Sequence, residues 1–212
     1  TNYLPNDEES KHYACLLQWD NIYYQPPTQE YLAPKTTVRV GLVQWQMRTY
    51  KTLDDLFEQV EFFVDAVSDY KSDFILFPEY FNAPLMAKFN HLGEAQSIRG
   101  LAQYTEEIRE RFVNLAISYN INIITGSMPL LKEDGALYNV GYLIRRDGSY
   151  EMYEKVHVTP DEQKSWGLSG GKMVKTFDTD CARIGVLICY DVEFPELSRI
   201  MADQGMQILF VP

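Results

Sequence analysis

Between Val38 and Val67 the apolar residues change their period, and no other feature of the sequence constrains the fold as much. Val38-Arg-Val-Gly-Leu-Val-Gln-Trp45 alternates in β fashion, whereas Leu53, Leu56, Phe57, Val60, Phe63, Val64 and Val67 recur at helical spacing. Side chains repeat every two residues on a strand and every 3.6 on a helix, so the reading is strand, then amphipathic helix. Asp73-Phe-Ile-Leu-Phe-Pro78 follows as a short apolar strand, stopped by a proline that removes a ladder donor. Glu79 stands at its end. A second helix is predicted over about 100 to 119, with Leu101, Ile108, Phe112, Leu115 and Ala116 inward, and another strand over 121–126.

The next section reads as a meander: Leu137 to Arg145, a turn at Asp147-Gly148, then Ser149 to Val158. After Gly170-Gly171 come Lys172 to Phe177 and the nearly uninterrupted apolar run Ala182 to Ile188, typical of a buried strand, with Cys189 at its end. Phe194 to Gln204 reads as a helix with Pro195 in its first turn, and Gln207 to Pro212 as one more strand. Strands alternating with helices, plus a central hairpin, predict an α/β or α+β layered fold with helices covering a mixed sheet. An apolar strand at the very end would ordinarily be interior, so a C-terminal part is expected to be missing. Residues 1–36, with Pro5, Pro26, Pro27 and Pro34 and no sustained periodicity, read as an arm or linker ahead of a main domain over 37–212. Tyr13, Trp19, Tyr23, Tyr24 and Tyr31 are too many aromatics for a solvated tail, so part of the arm is expected to pack.

Charge and cysteine usage exclude several classes. The 19 Lys+Arg against 30 Asp+Glu give a net charge of −11, which lacks the phosphate attraction of a general nucleic-acid binder. No apolar run approaches the roughly 20 residues that cross a bilayer, so no membrane partner is expected. Cys15, Cys181 and Cys189 are odd and sparse, which argues against a disulfide framework and for a reducing, cytoplasmic setting. His12, His91 and His157 are scattered and no ligand spacing is present, so neither a metal site nor a cofactor is expected.

Strand ends hold reactive groups on a rigid sheet while the adjoining loops leave room for substrate. Three segments qualify: Phe77-Pro78-Glu79-Tyr80, Tyr153-Glu154-Lys155-Val156-His157 and Ile188-Cys189-Tyr190-Asp191. Singly, each has an ordinary structural reading: a buried thiol, a capping carboxylate, a solvated lysine. Together, the ordered series FPEYF, YEKVHV and ICYDVEFPE resembles the nitrilase or carbon–nitrogen hydrolase superfamily from about Val38 to the last residue. The separations are 155 − 79 = 76 and 189 − 155 = 34.

The resemblance implies an αββα sandwich of the nitrilase type, C-terminally incomplete, and a triad of Glu79 as general base and acid, Lys155 as oxyanion stabiliser and Cys189 as nucleophile. It also implies a second glutamate after the lysine, for which Glu162 is the best match, with Asp161 close by. Family members usually form homodimers or larger homo-oligomers. Relatives with such an N-terminal lead often carry an acetyltransferase domain before the hydrolase domain. The chain departs from the pattern at Glu193, where many members carry a basic residue.

These residue types suit amide chemistry. A thiolate splits hydrolysis of a poor electrophile into acylation and deacylation when a base takes its proton. A fixed ammonium and a backbone N–H, here Lys155 and the Tyr190 amide, are donors worth roughly 3 to 4 kcal/mol each toward a tetrahedral oxyanion. The expected activity is cleavage of a small linear amide or carbamoyl compound. The alternatives are nitrile hydrolysis on the same triad, a papain-like pairing of Cys189 with His157, and a non-catalytic interaction domain that keeps the fold.

Overall fold

The computed structural model describes residues 37–212, so the arm expected over 1–36 lies outside the described residues. The chain runs β1 (Val40–Leu42), α1 (Leu53–Asp69), β2 (Phe74–Leu76), α2 (Glu94–Leu101), α3 (Thr105–Tyr119), β3 (Asn122–Ile124), β4 (Met128–Leu131), β5 (Leu137–Ile144) and β6 (Tyr150–Glu154). It continues through β7 (Leu168–Ser169), β8 (Thr176–Asp178), β9 (Arg183–Val186), α4 (Pro195–Asp203) and β10 (Ile208–Phe210). Among the described residues, no helix is long and apolar enough to cross a membrane.

Two sheets form. In the larger, β1, β2 and β3 are parallel neighbours and β5 pairs antiparallel with β3, β4 and β6 and parallel with β7. In the smaller, β9 lies between parallel β10 and antiparallel β8. The two-residue period then sorts side chains into layers. Phe74, Ile124, Leu143 and Tyr153 of the first sheet meet Phe177, Ile184, Val186, Ile188 and Phe210 of the second. The alternate residues Ile75, Phe77, Ile123, Val140 and Ile144 face helices α1 to α3 in a second core, with Leu56, Val60, Ile108 and Phe112. On the far side Leu187 packs with Met201 of α4 and with Met206. The order is helix, sheet, sheet, helix, as expected. Each such fully buried large side chain contributes about 1.5–3 kcal/mol.

Local rules explain most boundaries. Thr52 caps α1 in a reciprocal box: its Oγ1 accepts from the Asp55 amide at 3.0 Å, and Asp55 accepts from the Thr52 amide at 3.0 Å. The single helix predicted over 100 to 119 is instead two, divided by a 3₁₀ turn at Ala102–Tyr104. The buried Thr105 hydroxyl donates to the Pro129 carbonyl at 2.6 Å and pins that break to β4. Strand β4 itself was masked in the sequence by Pro129. Among the described residues it pairs only with β5, so the missing proline N–H costs no ladder bond on its other edge.

Candidate active site

Glu79 is delivered by a bulge in the neighbouring strands. Ile124 pairs with Leu143 and Met128 with Val140, so one strand advances four residues while the other advances three. The extra residue lies at Gly126-Ser127. Gly126 has φ +71°, and a Cβ there would sit 2.0 Å from the Pro78 carbonyl oxygen. Opposite it, a Cβ on Gly141 would sit 2.1 Å from the Gly126 oxygen and 2.4 Å from the Tyr153 ring. Only glycine lets the end of β2 lie this close, and the Tyr153 hydroxyl locks the bulge by donating to Gly126 O at 2.6 Å.

Lys155 follows β6, held by its backbone: its amide donates to Asn139 O at 2.9 Å and its carbonyl accepts from Gly171 at 2.8 Å. The side chain is 1% exposed, an environment no lysine tolerates unpaired. Its ammonium donates to Glu79 Oε1 at 2.8 Å and to Glu162 Oε1 and Oε2 at 2.9 and 2.8 Å. Glu162 opens a single π-helical turn, Glu162–Trp166, and also accepts from the Thr159 amide at 2.7 Å and the Tyr80 hydroxyl at 3.0 Å. Burial works against both charges. The hydrogen bonds win, so the Lys155 ammonium is held above its ordinary range and the Glu162 carboxyl below its own.

Cys189 begins a 3₁₀ turn, Cys189–Glu193, just past β9, with its amide donating to Pro212 O at 2.8 Å. Its φ is +45°, and Tyr80, beside Glu79, has φ +51°. Both are non-glycine residues in the left-handed region, a conformation that costs about 1–2 kcal/mol and collects at functional sites. The residue as a whole is exposed, with its thiol partly covered. Partial burial pushes it up from its ordinary value, the adjacent Glu79 carboxylate pushes it further, and the Lys155 ammonium pulls it back.

The sequence segments thus converge: Glu79, Lys155, Cys189 and Glu162 share one electrostatic neighbourhood. The Tyr190 amide lies in the first turn of the 3₁₀ segment, where helical geometry supplies no intrahelical acceptor. His157 faces elsewhere: its Nδ1 lies 3.1 Å from Asp191 Oδ1 and its ring stacks on Phe194 at 3.7 Å. The buried Asp191 carboxylate also accepts from the Val156 and His157 amides at 3.1 and 2.7 Å, tying the loop after Lys155 to the turn after Cys189. Asn139, which donates to Glu79 Oε1 at 2.9 Å, carried no signal in the sequence. Tyr80 and Trp166 pack edge to face at 5.5 Å. Glu193 is exposed. Two surface clefts, one including Arg48 and Phe62 and one including Lys132 and Met173, contain none of the four convergent residues.

Four layers in this order, with the reactive side chains gathered where both sheets end, define the nitrilase-type sandwich. Solved structures share it: a carbon–nitrogen hydrolase from Helicobacter pylori superposes with a TM-score of 0.72 at 21% identity, over 82% of this chain and 59% of that one. An amidase from Nesterenkonia sp. gives 0.68 at 24% identity, over 82% and 64%. Residues 39–212 match the Carbon-nitrogen hydrolase family, and the chain belongs to that family. Among curated relatives, a probable hydrolase, YhcX, of Bacillus subtilis is 44% identical along 100% of this chain and 41% of its own length. The human omega-amidase NIT2 is 32% identical over 84% of this chain and 63% of its own length. The chain therefore spans less than two thirds of these relatives.

Proposed function

We propose that the protein hydrolyses the carbon–nitrogen bond of a small linear amide or carbamoyl compound through a cysteine thioester. The observation that carries this reading is the position of Glu79, whose carboxylate accepts from the Lys155 ammonium at 2.8 Å and neighbours the Cys189 thiol. The Cys189 sulfur attacks the carbonyl carbon as its proton passes to Glu79. Charge develops on the carbonyl oxygen, facing Lys155 and the Tyr190 amide. Glu79 returns the proton to the departing nitrogen, the C–N bond breaks, and ammonia or an amine leaves. Glu79 then takes a proton from water, which attacks the thioester; the C–S bond breaks, the acid departs and the thiol is restored. Glu162 keeps Lys155 charged throughout.

Amidase relatives support an amide over a nitrile substrate. The match of residues 1–212 to a relative more than twice as long supports a hydrolase domain joined to a further domain, and we assign the arm as a linker to an acetyltransferase domain. Cys181 and Cys189 are both free, in keeping with a cytoplasmic protein, and a homodimer or larger homo-oligomer is the assembly we propose.

The test is intact mass of the full natural chain after incubation with amides, carbamoyl amino acids and nitriles. A substrate-dependent acyl gain on wild type, absent from Cys189→Ala and lost in Glu79→Gln, is expected. Turnover that survives in Cys189→Ala would sink the mechanism.

A further inference from the structure

Glu79 has two carboxylate oxygens, and its surroundings do not treat them alike. The Lys155 ammonium at 2.8 Å and the Asn139 side-chain amide at 2.9 Å both donate to Oε1. Neither touches Oε2. Asn139 is fully buried, and its Oδ1 finds no hydrogen-bond partner among the described residues. A carboxylate can only accept, so the amide must present its nitrogen to Glu79 and leave its own oxygen unpaired. Buried acceptors are seldom left so, and the orientation that leaves Oδ1 without a partner is the one that gives Glu79 a donor. The Asn139 main-chain carbonyl also accepts from the Lys155 amide at 2.9 Å, so one residue of β5 references both partners of the site.

Resting on the function proposed above, we infer that Asn139 is a positioning residue for proton transfer: it holds Glu79 so that Oε1 stays saturated and Oε2 alone exchanges the proton with Cys189. Two donors on Oε1 make that oxygen the poorer base, and they remove rotation about the terminal carboxylate torsion, which is otherwise broad and two-fold. The nucleophile then meets one oxygen in one geometry through acylation and deacylation alike.

The test uses the full natural chain, with Asn139→Leu, which removes the donor at similar volume, and Asn139→Asp, which keeps the shape and reverses the polarity. In Asn139→Leu, kcat should fall about 100-fold with KM little changed, the usual scale for a misplaced reacting group. Crystal structures of wild type and variant give a readout that needs no substrate: Glu79 should hold one orientation in the first and leave it in the second. If Asn139→Leu does not fold, Asn139→Asp is judged by the same criteria. An unmoved Glu79 or an unchanged kcat would overturn the assignment. Wild type that turns over no amide while Glu79 moves as described would instead count against the proposed function alone.

Discussion

Lys155 and Glu162 form a buried pair in which one ammonium reaches both oxygens of one carboxylate, at 2.9 and 2.8 Å. A charge-assisted bond of this kind contributes about 1.5–3 kcal/mol. Glu162→Gln should therefore lower stability by about 2 kcal/mol in urea unfolding. The pair also sets a pH window. The lowered Glu162 carboxyl contributes stability that is present above its ordinary value of 4.5 and lost as pH falls through its folded value. The raised Lys155 contributes stability present below 10.5 and lost as pH climbs through its higher folded value. The variant should lose its disadvantage toward wild type in strong acid.

The thiol should report its neighbours through alkylation. With Cys189 raised above the ordinary 9.0, its reaction with iodoacetamide should have a midpoint on the alkaline side of that value. Glu79→Gln removes a charge that opposes the thiolate, so its profile should move to lower pH even as amide turnover disappears. Lys155→Gln should move it the other way. A Glu79→Gln profile that shifts upward would contradict the electrostatics described.

Asp191→Ala would take the acceptor from the part-buried Val156 and His157 amides together. A hydrogen bond to a charged group contributes about 1.5–3 kcal/mol and water can replace part of it at half-buried amides, so a loss of about 2 kcal/mol should appear in thermal unfolding. His157→Phe keeps a ring for the stack on Phe194 and both amide bonds, and should cost clearly less.

Gly126→Ala should be among the most damaging small substitutions. Its Cβ would meet the Pro78 carbonyl oxygen at 2.0 Å with φ at +71°, so the backbone carrying Glu79 must shift. About 1–2 kcal/mol is lost to the left-handed conformation alone, before any clash is relieved. Amide turnover should fall further than the melting temperature accounts for.

How far the sequence revealed this arrangement depended on the kind of signal. Period changes exposed α1, β2 and β9, because one face of each packs on a core and the pattern records that burial. Glu79, Lys155 and Cys189 were legible only as an ordered set of motifs, since each alone has an ordinary structural reading. Strand β4 was not legible, since Pro129 argues against a strand until its pairing with β5 is known. Asn139 was invisible for a different reason: a single asparagine within an apolar run has no pattern, and its importance comes from Glu79, sixty residues away. Asp191 was legible only as a letter of a motif, because its partners are main-chain amides that any sequence supplies.

Glu79 and Lys155 follow strands of the larger sheet and Cys189 follows a strand of the smaller one, so the gap between base and thiol depends on how the two sheets sit against each other. That seating is governed by contacts such as Phe74 against Phe210, whose ring centroids are 5.2 Å apart. The interlayer packing thus acts as a gauge block as well as a core. Substitutions deep within it, chemically inert and remote from solvent, would tune the encounter of thiol and carboxylate by fractions of an ångström.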